Sequence, residues 1–295
     1  MKFSVIIPTY QRQKELETCL TSILRQDLLP AEIIIIDDDD LGEEFLSYWR
    51  KEAAVHKIDF VYYKKDQIRE TRGSSTSRNI GLDKAREKIC FIFDDDLNLE
   101  SYFFSKIMAS WASDEKLLGV GGVIINNRQK SVWEKRYNKF FGLGAELSWD
   151  VNDLGFQSWD DGITDCQTAF YVHGGVCAYD KDAVKALGGF TVFSGGREAL
   201  EDLDFCWRAK NAGYYFLIEP GARVFHDHSL SGREDEFTAG RKESANRKTI
   251  FAKFGGRKFS DKLGFYWANI GWILRQILRG KTNKVRGMIA GLFNK

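Results

Sequence analysis

The chain is short of proline and of organised cysteine. Three prolines among 295 residues leave no proline-rich linker. The five cysteines, Cys19, Cys90, Cys166, Cys177 and Cys206, are odd in number and widely spaced, with no C-x-x-C pair. That pattern excludes a disulfide framework or a structural zinc site and reads as reduced thiols in a cytosolic protein. No apolar run reaches the roughly 18 residues needed to cross a bilayer. The opening Met1–Pro8 stretch is too short an apolar run for a secretory signal, and no small-residue cleavage pattern follows it. No G-x-G-x-x-G follows the first strand-like run, which argues against a dinucleotide site. Gly280-Lys281-Thr282 resembles the end of a P-loop, but Arg275 stands where that motif needs its upstream glycine. There is no internal repeat and no low-complexity segment.

What is present points to a packed enzyme-sized chain. Hydrophobic residues make up 43% of it and eight are tryptophan, too much apolar surface for a disordered protein. The length suits one large domain or two small ones. The formal charge of +1 hides an asymmetry. Asp261 is the last acidic residue, so the seven basic residues beyond it form a tail of net +7, and the preceding 261 residues are net −6. Such a split predicts a basic tail that meets an acidic surface.

Strand and helix signals alternate over the first hundred residues. Runs at 3–7, 33–36, 58–63 and 89–93 read as strands, and Leu16, Cys19, Leu20, Ile23 and Leu24 recur at helical spacing. Residues 75–88 read as a helix capped by Ser75 or Thr76. This order predicts a doubly wound α/β half with a mainly parallel sheet. Further strands are expected at 117–125, 168–179, 215–218 and 223–225, a helix at 201–212, and long loops over 126–166. In the tail, Val285, Met288, Ile289, Leu292 and Phe293 form one apolar stripe, and 265–278 mixes Trp267 and Trp272 with aliphatics and Arg275. Two amphipathic helices with basic flanks are expected there.

Acidic clusters stop two of the strand runs. Asp94-Asp95-Asp96 would repel one another unless a cation neutralised them, and hard divalent ions take carboxylate oxygens. Asp37–Asp40 follow a second buried run, where a carboxylate can accept hydrogen bonds from a base or ribose. In doubly wound sheets, ligands bind just beyond such strand ends. Glu201 and Asp202 open a helix after a glycine pair, and a charged carboxylate there can act as general base. Two of only four histidines fall in His226-Asp227-His228, able to complete a metal shell. Trp133, Trp149 and Trp159, with Asp160 and Asp161, give the middle loops a sugar-binding character.

Taken in order, these motifs resemble the inverting family-2 glycosyltransferases of the GT-A fold over roughly residues 1–255. Val5-Ile6-Ile7-Pro8-Thr9-Tyr10-Gln11-Arg12 is similar to the family's first strand and nucleotide turn. Ile35-Ile36-Asp37-Asp38 resembles its base- and ribose-reading strand end, although Asp39-Asp40 replace the usual Gly or Asn and Ser. Ser77-Arg78-Asn79-Ile80-Gly81 is similar to its Ala-Arg-Asn-x-Gly segment. Asp94-Asp95-Asp96 stands at its D-x-D metal motif. Gly174-Gly175-Val176-Cys177-Ala178-Tyr179, with Leu187-Gly188-Gly189-Phe190, resembles its acceptor-side strand and turn. Glu201-Asp202 with Trp207-Arg208 resembles its E-D block.

The resemblance implies a GT-A fold, Rossmann-like, with a mainly parallel central sheet flanked by helices. It implies a nucleotide-sugar half at 1–115, an acceptor half at 116–255 and a basic helical tail at 256–295. The implied reaction is metal-dependent transfer of a hexosyl or deoxyhexosyl group from a nucleoside-diphosphate sugar to an acceptor hydroxyl. The acceptor would belong to bacterial cell-surface polysaccharide or lipid-linked glycan assembly. Asp202 would be the base, with Glu201 its rival. Pro8, Thr9, Tyr10, Arg12, Asp37, Asp38, Arg78, Asp94 and Asp95 would meet the donor. Asp94, Asp96 and either His226 or His228 would hold Mn²⁺ or Mg²⁺. Trp159, Asp160, Gly174, Gly175 and Trp207 would meet the acceptor. The tail would dock on anionic lipid at the inner face of the cell membrane, and deleting residues 259–295 would release it. No nucleic-acid partner is expected. The competing readings are a nucleotidyltransferase, whose glycine-rich phosphate loop Pro8–Lys14 lacks, and a non-catalytic glycan- or lipid-binding protein.

Overall fold

Isoleucine runs dictate the centre of the molecule. In a strand, successive side chains face opposite sides, so a run that is apolar at every position needs cover on both faces. In the computed structural model, which describes residues 1–144, 149–193, 199–229 and 234–293, that demand is met. Val5, Ile7, Ile33, Ile35, Phe91 and Phe93 join one buried cluster. Their neighbours Ile6, Ile34, Ile36, Cys90 and Ile92 join a second cluster on the other face.

The first half runs β1 (Phe3–Thr9), α1 (Gln13–Leu24), β2 (Glu32–Asp37), α2 (Glu43–Val55), β3 (Asp59–Lys64), α3 (Ser74–Lys84), β4 (Ile89–Phe93), β5 (Leu97–Leu99) and α4 (Phe103–Ser110). Then follow β6 (Leu117–Ile124), α5 (Val132–Phe141), β7 (Asp150–Val151), β8 (Gln157–Ser158), β9 (Gln167–Ala169), β10 (Val176–Asp180), α6 (Lys181–Ala186), α7 (Glu201–Asn211) and β11 (Tyr215–His226). Three helices close the chain: α8 (Glu236–Phe254), α9 (Phe259–Leu278) and α10 (Thr282–Phe293).

The large sheet has the order β3-β2-β1-β4-β10-β6-β11-β5, with β9 added on β11. The expected parallel half, β3-β2-β1-β4, is in place. β10 enters antiparallel between β4 and β6, while β11 is parallel to β6. The strand order reverses between β1 and β4, and the carboxyl ends of these strands open on a crevice.

Several expected elements change. The helix expected over 75–88 stops at Lys84, because Ala85 is extended, and its N-cap is Gly73 rather than Ser75 or Thr76. The run 168–179 is two strands with an irregular stretch between them, where the Phe170 and Tyr171 N–H groups both donate to the Trp149 carbonyl. The short strands 215–218 and 223–225 are one strand with a register shift between Ile218 and Arg223. The stretch 126–166 is not all loop: it holds α5 and the β7–β8 hairpin. Both tail helices form, but Val285, Met288 and Leu292 of α10 are buried against α8. Among the described residues no helix is long and apolar enough to cross a membrane.

Candidate active site

A cleft of about 360 Å³ lies at the carboxyl ends of β1, β2 and β4. One side of it is built by β1 and β2. Asp38 is fixed from three directions: its carboxylate pairs with Lys65 at 2.6 Å and accepts from the Gly73 N–H at 3.2 Å and the Ser77 hydroxyl at 3.3 Å. The Arg72 guanidinium lies over the Tyr10 ring, 4.2 Å from its centroid. Pro8, Thr9, Tyr10, Arg12, Arg72 and Asp38 all line the cleft. Asp37 does not. It is buried, accepting from the Asp39 N–H at 2.8 Å and from the Tyr62 hydroxyl at 2.9 Å. The donor contact expected of Asp37 is therefore replaced by a role in holding β2 to β3, since adjacent residues at a strand end point to opposite sides.

Antiparallel pairing sets the cationic side. His226 stands opposite Leu97 in the β11–β5 register, which brings its imidazole beside Asp96. His226 Nε2 lies 2.9 Å from Asp96 Oδ1, and the ligand atoms of Asp94, Asp96 and His226 all lie within 4.8 Å of one another. His228 is not one of that group; it follows in a left-handed conformation (φ 48°), its ring 4.1 Å from that of His226. Two carboxylates and one imidazole suit Mn²⁺ or Mg²⁺.

Arg12 spans the adjacent acids, 3.0 Å from Asp95 and 3.3 Å from Asp96. Burial pushes the Asp95 carboxyl up to about 6, although Arg12 and the Thr9 hydroxyl at 2.8 Å oppose it. Burial also pushes Asp96 up, but hydrogen bonding and charge from His226, with Arg12, outweigh it and leave Asp96 below the usual carboxylate range.

Opposite stands the opening turn of α7, entered through Leu200 in a left-handed conformation (φ 69°). Asp202 accepts from Arg78 Nη1 at 2.8 Å and from the Gly174 N–H at 3.1 Å. Glu201 accepts from the Ser74 hydroxyl at 3.0 Å and from Arg78 at 3.3 Å. Arg78 also reaches Asp94 at 3.4 Å, so one guanidinium, 3% exposed, joins the base candidates to a metal-ligand candidate. Burial works against its charge, but Asp202, Glu201 and Asp94 outweigh that and drive its pKa up, so it is always a cation.

Gly174 and Gly175 make room for this arrangement. A Cβ on Gly174 would sit 2.6 Å from Asp202 Cγ, and one on Gly175 would collide with the Asp94 carboxylate. Neither glycine, expected to meet the acceptor, is among the residues lining the cleft, and each leaves room for a carboxylate. Trp207, also expected to meet the acceptor, does not line the cleft: it is 4% exposed and packs on Phe254. Trp159 and Asp160 lie outside the cleft, on the wall of a second cavity. One face of Trp159 is taken by the Lys130 ammonium, 4.7 Å from the centroid, and Tyr171 and His173 pack on the same ring.

Sequence reasoning missed Lys65, Arg72 and Ser229, whose N–H donates to Asp96 at 3.0 Å. Nothing local in the sequence marks them, since each acts on a residue far along the chain. The helix α5 did carry a signal: Ser131-x-x-Glu134 forms a reciprocal capping box.

A β-1,3-glucosyltransferase of Campylobacter jejuni, named for its GalNAc(5)-diNAcBac-PP-undecaprenol substrate, is 34% identical over 158 residues, 52% of this chain and 47% of that protein. The Bacillus subtilis protein EpsJ, described as an uncharacterized glycosyltransferase, is 30% identical over 107 residues, 35% of this chain and 28% of its own. The chain thus spans less than half the length of these curated relatives. Among solved structures, a mannosyltransferase of Pyrobaculum calidifontis, in complex with GDP-Man and Mn²⁺, superposes with a TM-score of 0.61 at 16% identity, over 100% of this chain and 88% of that one. The fold is therefore that of the GT-A glycosyltransferases. The model of the glycosyl transferase family 2 matches residues 4–188, which hold the whole metal-side acidic cluster, and the chain belongs to that family.

Proposed function

We propose that the chain transfers a hexose or deoxyhexose from a nucleoside-diphosphate sugar to a hydroxyl of a lipid-carried glycan, with inversion at the anomeric carbon. The observation that carries this reading is the convergence of Asp94, Asp96 and His226 with Asp202 in one cleft, tied through Arg78. The Mn²⁺ and GDP-Man of the Pyrobaculum relative, and the substrate named for the Campylobacter relative, support the cofactor and substrate classes.

Tyr10, Arg72 and the fixed Asp38 would hold the base and ribose. Asp94, Asp96 and His226 would hold Mn²⁺ or Mg²⁺, which when bound stabilises the charge gained by the departing diphosphate. Arg12 and Arg78 hold the acids in position. Asp202 takes the proton from the acceptor hydroxyl, whose oxygen then bonds to the anomeric carbon as the diphosphate leaves from the opposite face. Both Asp202 oxygens already accept one hydrogen bond, which orients the carboxylate while a second lone pair on each stays free for the proton. Glu201, shared between Ser74 and Arg78, would position Arg78 and leave the base role to Asp202.

Membrane association at the inner face is part of the same proposal. The outer side of α9 exposes Phe259, Leu263, Trp267, Ile270 and Leu274. Basic residues near an anionic surface add about 1 kcal/mol each.

The test uses nucleoside-diphosphate sugars as donors. Excess chelator is expected to abolish transfer and donor hydrolysis, and Asp202→Asn to abolish transfer while nucleotide–Mn²⁺ binding survives. Full activity in chelator would remove the metal from the reading, and wild-type turnover by Asp202→Asn would remove the base.

A further inference from the structure

The second cavity, about 650 Å³, is more cationic than the catalytic cleft is. Arg128, Lys130, Lys135, Arg136 and Lys139 line it, against Asp160 and Asp161. The two acids have other work. Asp161 accepts from Asn127 at 2.8 Å and from the Ile124 N–H at 3.2 Å, and Asp160 accepts from the Gly162 N–H at 3.0 Å. Arg275 of α9 adds to the positive field. The Lys130 ammonium is pushed down, first by burial and then by Arg275, and Arg275 is itself pushed down by burial and by Arg279. Lys130 is part-buried there, while Arg128, which pairs with Glu134, and Lys135, Arg136 and Lys139 are exposed; like charges gathered on one concave surface raise the local concentration of an anion.

Position adds to charge. Two contacts connect residues of the cavity to those of the cleft. Asp161 lies 3.8 Å from His173, the residue before the Gly174 that holds Asp202. Asn126, next to the cavity, bonds the backbone of His226 in both directions. On its other side the cavity abuts the α5–α9 pair, joined by the Tyr137 hydroxyl to the Gly271 carbonyl at 2.7 Å and by Arg275 to Asn138. That pair carries the exposed Phe140 and Trp267. An anionic group linked on one side to a glycan and on the other to a lipid fits between these two surroundings.

We propose that this cavity is the anion subsite of the acceptor, taking the phosphate or diphosphate that joins the glycan to its lipid. The assignment rests on the lipid-carried acceptor proposed above.

Binding of inorganic pyrophosphate and of farnesyl diphosphate, measured by calorimetry on the full chain in excess chelator, tests it. Wild type is expected to bind farnesyl diphosphate more tightly than pyrophosphate. Lys130→Gln/Arg136→Gln is expected to weaken both at least tenfold while binding a nucleoside diphosphate with Mn²⁺ as wild type does. Lys135→Gln/Arg136→Gln, both on the exposed side of α5, serves if the first pair fails to fold. Asp96→Asn is expected to lose nucleotide–Mn²⁺ binding and keep the farnesyl diphosphate. Absence of binding, or equal binding by wild type and both variants, would overturn the subsite. Equal affinity for the two probes would assign it to a free phosphate and overturn the acceptor role. Failure of wild type to bind any nucleotide with Mn²⁺ would sink the transferase reading instead, and leaves the cavity result distinguishable from it.

Discussion

Gly174→Ala is the sharpest test of the base assignment, because one methyl group reaches one carboxylate. Gly174 is not in the left-handed region, so alanine brings no backbone strain there. The new Cβ would sit 2.6 Å from Asp202 Cγ and 2.9 Å from Arg78 Nη1, where ordinary contacts begin near 3.4 Å. Asp202 Oδ1 lies closer still, so the carboxylate must retreat by more than about 1 Å, a misplacement that typically costs about 100-fold or more in rate. Overpacking of this kind costs about 1–3 kcal/mol of stability, which a folded domain survives. Steady-state transfer kinetics, nucleotide–Mn²⁺ titration and urea unfolding read the three quantities separately. The expected profile is a kcat loss of about two orders of magnitude with nucleotide–Mn²⁺ affinity nearly unchanged. Gly175→Ala makes the contrast, since the three atoms nearest its methyl all belong to Asp94. It is expected to weaken the metal and recover part of its activity at raised Mn²⁺. Wild-type turnover by a folded Gly174→Ala, or indistinguishable profiles for the two variants, would refute the reasoning.

Arg78→Leu leaves Asp94, Glu201 and Asp202 facing one another without their cation, and urea unfolding is expected to register a loss of about 3–5 kcal/mol; a loss within error would mean the acids relax freely. Burial raises the Asp37 carboxyl against its hydrogen bonds, so the native state holds that proton more tightly than the unfolded chain does. Its contribution is then full below the unfolded value near 4 and is lost as pH rises through the folded one, so Asp37→Asn is expected to flatten the stability profile there and to leave nucleotide binding intact, which Asp38→Asn does not. Cys166 is exposed and the other four thiols are buried, so a thiol reagent is expected to label one cysteine rapidly in the native protein and all five in urea; two fast thiols would contradict the packing of α1, β4, β10 or α7.

The parallel half of the sheet was legible because a strand covered on both faces must be apolar at every position, and Ile33–Ile36 and Ile89–Phe93 are. The acids that follow them were legible because strand ends in such sheets open on a ligand crevice. What lay hidden depends on pairing across long sequence distances. Asp37 and Asp38 look alike in sequence, yet Tyr62 claims one and Lys65 the other. His226 and His228 differ because the β11–β5 register fixes the first beside Asp96. Trp207 resembles a binding tryptophan only until α8 covers it with Phe254. The glycine pair at 174–175 was visible, but its reason was not, since the clash it avoids comes from residues 94 and 202.

The basic tail shows why period alone cannot name a helix's partner. A face packed on protein and a face laid on lipid both repeat every 3.6 residues. In α10 Val285, Met288 and Leu292 of the stripe are buried, and Gly240, Gly287 and Gly291 let the backbones of α8 and α10 close, while Ile289 and Phe293 stay exposed. In α9 apolar residues stand on both sides: Phe265 and Ala268 are buried, while Leu263, Ile270 and Leu274 face outward. Deleting residues 259–295 would therefore strip cover from Phe141 and Phe251 and damage the fold, not merely release it from a bilayer. Leu263→Glu/Ile270→Glu alters only the outward face. Each side chain is about half exposed already, so stability should change little, whereas binding to anionic vesicles loses two apolar contacts and gains two repelled charges. The expected result is a folded protein that no longer sediments with anionic vesicles while retaining nucleotide–Mn²⁺ binding. Sedimentation equal to wild type would assign that face to protein contacts instead.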